Sequence, residues 1–185
     1  MISTAFEHVV GGMWQGTIAR TVMDAPPIIC PEQSASMDFE VTIRRGMPLY
    51  LSYATMVLPS NDAFLANGDP RAHQVLNSGH RFKFETIVDY GSDVLDAGTE
   101  VNDEASESTP LLGQMAPNTG TTEGGVVKLH EGFKDAGEGG ILDADGFENA
   151  DFTANGYMAM KIEVEMHDDN RRLLEKSSSV RRRGD

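Results

Sequence analysis

Hydrophobic and polar positions alternate most cleanly in two places. From Ser36 to Ile43, Met37, Phe39, Val41 and Ile43 alternate with Asp38, Glu40 and Thr42. Further on, Met158, Met160, Ile162, Val164 and Met166 alternate with Ala159, Lys161, Glu163, Glu165 and His167. A period of two predicts half-buried strands, because successive side chains of an extended chain point to opposite faces. Arg44-Arg45-Gly46 turns the first strand into a nearly continuous apolar run from Leu49 to Leu58, which predicts a strand central to a sandwich, ended by Pro59. Arg81 to Tyr90, with Phe82, Phe84, Ile87 and Val88 on its apolar face, and the short Val126 to Leu129 are further predicted strands. Ala63 to Ala66, before the breaker Asn67-Gly68-Asp69-Pro70, and Arg71 to Asn77 read as short helical turns.

Between these elements lie turn-rich connectors. Ala25-Pro26-Pro27-Ile28-Ile29-Cys30-Pro31 is punctuated by proline, and residues 106 to 125 are rich in Ser, Thr, Pro, Asn and Gly. Several short strands with little helical periodicity predict an all-β sandwich, whose loops gather at its ends and carry its binding sites. The domain is expected over residues 1–168, followed by a polar, disordered tail over 169–185.

Composition narrows the function classes. A chain of 185 residues is about one domain. Its net charge of −14 argues against a nucleic-acid partner, which demands a basic footprint, and against an anionic membrane surface unless a cation bridges the two. Cys30 is the single cysteine, so no internal disulfide framework or Cys-based zinc site is available. There is no apolar run long enough to predict a transmembrane segment, and Met1 to His8 has no signal-peptide pattern.

The chemistry concentrates in Gly91 to Glu104, within a stretch where Asp89, Asp93, Asp96, Glu100, Asp103, Glu104 and Glu107 occur with no Lys or Arg among them. Such a run is either a solvated loop or a set of oxygen ligands for a hard cation such as Ca²⁺. Asp96 and Glu100 are four apart across Gly98, so a helical face or a tight turn would converge them, and Asp62 is a third carboxylate from a different loop. Asp93, Asp103, Glu104 and Glu107 are read as solvated. Asp143-Ala144-Asp145-Gly146 fails EF-hand spacing, since Gly146 at loop position 6 puts Ile141 at position 1. His8, His73, His80, His130 and His167 form no zinc-hydrolase motif, and no nucleophile elbow or Walker sequence occurs. His130 beside Glu131 reads as a locally satisfied strand-end residue, and the alternating methionines as core packing.

Ser52-Tyr53-Ala54-Thr55-Met56-Val57-Leu58-Pro59-Ser60-Asn61-Asp62-Ala63-Phe64 and Gly91-Ser92-Asp93-Val94-Leu95-Asp96-Ala97-Gly98-Thr99-Glu100-Val101-Asn102 resemble the spondin domain in its bacterial form. Val126 to Phe133, Gly140-Ile141-Leu142 and Ala150-Asp151-Phe152 extend the resemblance, which covers about residues 10 to 166. It implies an antiparallel β-sandwich, similar to C2 domains, with long loops at one end and Ca²⁺ held by Asp62, Asp96 and Glu100. It also implies a non-catalytic adhesion or binding module, secreted or cell-envelope associated, with a cell-surface, matrix or glycan ligand. Two motif positions differ from the family: Glu100 stands for the Asp of animal members, and Leu95 for a usual Trp. The family also usually has a further strand region ahead of the part matched by Trp14-Gln15-Gly16-Thr17-Ile18, so the N-terminal strand region is expected to be truncated or mis-started.

Two other classes stay open at this point. One is a structural subunit that self-associates through a sheet edge. The other is a divalent-metal hydrolase in which Asp62, Asp96 and Glu100 hold the ion and His130 is the base, which requires His130 within reach of a metal-bound water.

Overall fold

A computed structural model describes residues 28–36, 46–79, 81–83 and 85–166. The strand expected at Ser36 to Ile43 lies, beyond Ser36, outside the described residues, as do the region around Trp14 and the tail 169–185. Two compact units are distinguished, Met1–Ile43 and Arg44–Asp185. The described part of the first contains a turn in which the Gln33 N–H donates to the Cys30 carbonyl at 3.0 Å, and Cys30 is an exposed free thiol.

The second unit is all-β and antiparallel. Its strands are β1 (Leu49–Leu51), β2 (Ala54–Met56), β3 (Ala63–Ala66), β4 (His73–Leu76), β5 (Glu85–Tyr90), β6 (Leu95–Asp96), β7 (Lys128–Leu129) and β8 (Met158–Val164). One-turn 3₁₀ helices occupy Gly91–Asp93 and Ile141–Asp143. β1 pairs with β4; β2, β3, β6 and β7 form a four-stranded sheet in that order; and β5 pairs with β8.

The β5–β8 ribbon follows the period-two pattern. Ile87 lies opposite Ile162, and Lys161 and Glu163 are exposed while Ile162 and Val164 are half-buried. The expected Arg81 to Tyr90 strand begins only at Glu85, and the expected Val126 to Leu129 strand reduces to two residues at the edge of the four-stranded sheet. Methionine burial is mixed, with Met160 packed against the core but Met56 and Met158 exposed.

Three expectations are corrected. Leu49 to Leu58 is not one central strand but two short ones in different sheets, with β2 at an edge. The break falls at Ser52-Tyr53, where the Tyr53 N–H leaves the ladder for Asn67 Oδ1 at 2.8 Å and the phenol donates to both oxygens of Asp89, at 2.9 and 2.7 Å. Ala63–Ala66 and the His73–Leu76 part of the second proposed turn are strands instead of helical turns. Ala, Leu and Gln are good helix formers, but over four residues that preference is small, and pairing on both sides of β3 overrides it.

The core joins the four-stranded sheet to the β5–β8 ribbon. Ala63 and Leu65 of β3, Val94 before β6 and Phe152 are buried together, with Ala159 and Met160 of β8, Val57, Phe133 and Tyr157 packed against them. The chain crosses from β5 to β6 through the turn at Gly91, whose N–H donates to the Tyr157 carbonyl at 2.9 Å. A Cβ at Gly91 would overlap the Phe152 carbonyl, so backbone lies against backbone at the crossing. Gly91→Ala is therefore expected to cost about 1–3 kcal/mol or more in urea-unfolding stability. Gly68→Ala, where nothing lies within 4 Å, should change stability by less than about 0.5 kcal/mol.

Candidate metal centre

The topology brings the three acidic candidates to one place. Asp62 immediately precedes β3 and Asp96 ends β6, and because these strands are antiparallel the start of one meets the end of the other, with Ala63 opposite Asp96. β2 and β6 both run opposite to β3, so both deliver their outgoing loops to the same side. The Ala97 N–H donates to the Asp62 carbonyl at 3.3 Å, and Glu100 follows across a tight turn. That turn is closed by the Gly98 N–H, which donates to Asp96 Oδ1 at 2.7 Å with Gly98 at φ +65°. A side chain at Gly98 would adopt a disfavoured conformation and press on the Gly125–Val126 backbone.

All three carboxylates are buried: Asp62 is 8 % exposed, Asp96 1 % and Glu100 8 %. Asp62 Oδ2 accepts from the Thr99 N–H and hydroxyl, both at 2.8 Å, and from the Glu100 N–H at 3.1 Å. Asp96 Oδ2 accepts from Asn102 Nδ2 at 2.8 Å, and Glu100 Oε1 from the Gly120 N–H at 3.2 Å. Lys128, opposite Asp96 on β7, places its ammonium 3.5 Å from Asp96 Oδ2 and 3.3 Å from Glu123 Oε1. The Glu123 hydrogen bond, with its charge and that of Asp96, raises the Lys128 pKa above its ordinary value. This half-exposed cation lies at the rim and is the counter-charge that the structure pairs with the centre.

Among the described residues, two buried side-chain acceptor atoms have no hydrogen-bond partner, Asp62 Oδ1 and Asn102 Oδ1. A buried unpaired acceptor is costly, and more so on a carboxylate, so these atoms carry unmet demand for positive charge or a donor. Among the described residues, no three His, Cys, Asp or Glu side chains converge as a ready-made metal cage. A carboxylate oxygen of each candidate is committed to a backbone N–H, while Asp62 Oδ1 is buried with no partner. Oxygen atoms of this kind are those a hard divalent cation takes, and two of them, Asp62 Oδ1 and Asn102 Oδ1, lack a hydrogen-bond donor. A small cavity adjoining Asn102, lined also by Ser60, Asn61, Thr109, His130 and Phe133, has room for about one water molecule.

Glu104 and Asp103 are half-buried and hydrogen-bonded, contrary to the expectation that they are solvated, whereas Asp93 and Glu107 are exposed as expected. Glu104 accepts from the Lys134 N–H at 2.6 Å and the Ile141 N–H at 2.7 Å, tying the 133–141 loop to the acidic segment. Asp103 accepts from the Ala105 N–H and the Ser108 hydroxyl, Asp93 from the Tyr90 N–H, and Glu107 weakly from Ser106 Oγ. Neither Asn102 nor Glu104 is distinguished in sequence, one being uncharged and the other one acid among many.

His130 sits beside the centre, half-buried, with its ring edge-on to Phe133 and Phe152 at centroid distances of 5.8 and 5.2 Å. Burial pushes its pKa below the ordinary value, against the opposing pull of Asp96, Asp62 and Glu104. The Gly132 N–H donates to Nδ1 at 3.0 Å. That bond occupies the Nδ1 lone pair, so the neutral ring carries its proton on Nε2. Asp143, at the rejected EF-hand sequence, accepts from the Gly137 and Gly139 N–H groups, which lower its pKa and close a local turn.

Comparison with protein-family models, with curated proteins and with solved structures returned no match. The geometry therefore stands alone as the basis for a functional reading. For Glu104, Glu104→Gln leaves one oxygen for two backbone N–H groups and turns an amide donor toward one of them. The expected cost is about 1–3 kcal/mol. Amide exchange at Lys134 and Ile141 should accelerate beyond the change elsewhere in the chain.

Proposed function

We propose that this chain is a non-catalytic, calcium-binding β-sandwich module, similar to the spondin domain, in which Asp62, Asp96 and Glu100 hold one Ca²⁺ and thereby fix two loops. The observation that carries the proposal is the buried, unpartnered Asp62 Oδ1, set among three buried carboxylates whose paired cation lies at the rim. A bound cation would supply the charge that these oxygens lack. The chain's own contribution is to present them: β3 and β6 set Asp62 beside Asp96, Gly98 permits the turn, and the Thr99 and Glu100 N–H groups hold Asp62 Oδ2 in place.

The loops fixed in this way would form the binding surface of a secreted or cell-envelope adhesion module facing a cell-surface, matrix or glycan ligand. No described helix is long and apolar enough to cross a membrane. A non-catalytic role is favoured over a hydrolase by His130, whose Nδ1 is engaged by Gly132 and whose remaining nitrogen is a donor in the neutral ring. Self-association through a sheet edge has one observation in its favour: Val126, Val127 and Leu129 are exposed at edge strand β7. The charge of −14 opposes close approach of two copies, so the calcium-dependent module is the preferred reading.

An ion that binds only the folded state raises the melting temperature. Excess Ca²⁺ is expected to raise the midpoint several degrees above that in EDTA, and Asp62→Asn to abolish the difference. Coincident melting curves for the unsubstituted chain would overturn the proposal.

A further inference from the structure

Asn102 has a property that the acidic residues around it do not explain. Its side-chain nitrogen donates to Asp96 Oδ2 at 2.8 Å, while its side-chain oxygen is buried and unpartnered. The orientation is chemically determined, because the flipped amide would set its oxygen against the carboxylate and lose the hydrogen bond. The backbone fixes the residue as firmly. The Val101 N–H donates to the Thr121 carbonyl at 2.8 Å, the Val101 carbonyl accepts from Asn61 Nδ2 at 2.9 Å, and Glu100 bridges to Thr122. The Asp103 N–H also donates to the Val101 carbonyl at 2.8 Å, a tight turn centred on Asn102 that sets its side chain beside Asp96.

A second orphaned acceptor, Asp62 Oδ1, belongs to a residue 92 % buried in the same pair of loops. Two buried oxygens lacking donors, one anionic and one neutral, match the mixed carboxylate and amide-carbonyl ligation that hard cations take. We infer that Asn102 is itself a ligand of the cation through its side-chain oxygen, an uncharged donor beside Asp62, Asp96 and Glu100, and that its N–H simultaneously orients Asp96. This inference rests on the calcium reading and adds to it a residue outside the three acids.

The test uses the full chain, with Ca²⁺ calorimetry and Eu³⁺ as a luminescent stand-in whose lifetimes in H₂O and D₂O count inner-sphere waters. Asn102→Ala removes the oxygen, so Ca²⁺ affinity should fall about tenfold or more, and bound Eu³⁺ should gain about one water in the vacated position. Asn102→Ser, whose hydroxyl is too short to reach the ion, should show the same loss of affinity and the same added water, which preserves the test if the alanine variant does not fold. Unchanged affinity and hydration in Asn102→Ala would overturn the ligand assignment while leaving the calcium reading intact. Weakened affinity with unchanged hydration would make Asn102 a positioning residue only and would also overturn the assignment. An unsubstituted chain that binds neither ion would overturn the calcium reading, and this inference with it.

Discussion

A buried carboxylate needs donors, and the loops of this protein are shaped by that need. The segment from Asp89 to Glu107 contains no Lys or Arg, so its acids are met mainly by backbone N–H groups and a few hydroxyls and amides. Asp62 takes the Thr99 and Glu100 N–H groups, Asp96 that of Gly98, Glu100 that of Gly120, and Glu104 those of Lys134 and Ile141. The bonds of Asp62 and Glu104 tie one loop to another, and those of Asp96 and Glu100 close turns within the β6–β7 connection, so negative charge that reads as decoration instead fixes long, turn-rich connections. Charge-assisted bonds of this kind are stronger than neutral ones, which suits them to holding backbone without regular secondary structure.

The sheets provide the frame for those bonds. β3 lies between β2 and β6, and its antiparallel pairing with β6 puts Asp62 next to Asp96 as a matter of register. Ala63 and Leu65 anchor the same strand in the core with Val94 and Phe152. The backbone contact of Gly91 with Phe152 carries the chain from β5 into β6. Core packing and site geometry therefore share residues or their immediate neighbours, and a slip of one residue in β3 would disturb both.

Much of this was legible in the sequence, and the failures have physical causes. The β5–β8 ribbon follows a clear period of two because one face is more buried than the other. β3 and β4 were not legible: Ala63-Phe64-Leu65-Ala66 has no polar position to alternate with, and four residues with Ala and Leu carry no local strand signal. The break at Tyr53 was hidden because it depends on Asn67 and Asp89, both distant in sequence. Asp62, Asp96 and Glu100 could be proposed as acids, but their buried, backbone-bonded state depends on pairings that composition does not encode. The structure also singled out Asn102 and Glu104, which differ from their neighbours only in the partners they find.

The satisfied acids make the unsatisfied atoms informative. Where the acids from Asp89 to Glu107 have each found a donor, the bare Asp62 Oδ1 and its neutral counterpart Asn102 Oδ1 mark the place where the protein's own donors stop. On the proposed reading a bound Ca²⁺ would supply what is missing there, since the rim position of Lys128 leaves the charge of the buried acids largely unopposed. Native mass spectrometry of the calcium-equilibrated chain tests this most directly. The account predicts one retained Ca²⁺ per chain, lost in Asp62→Asn; a chain that retains no calcium at saturating concentration would contradict it.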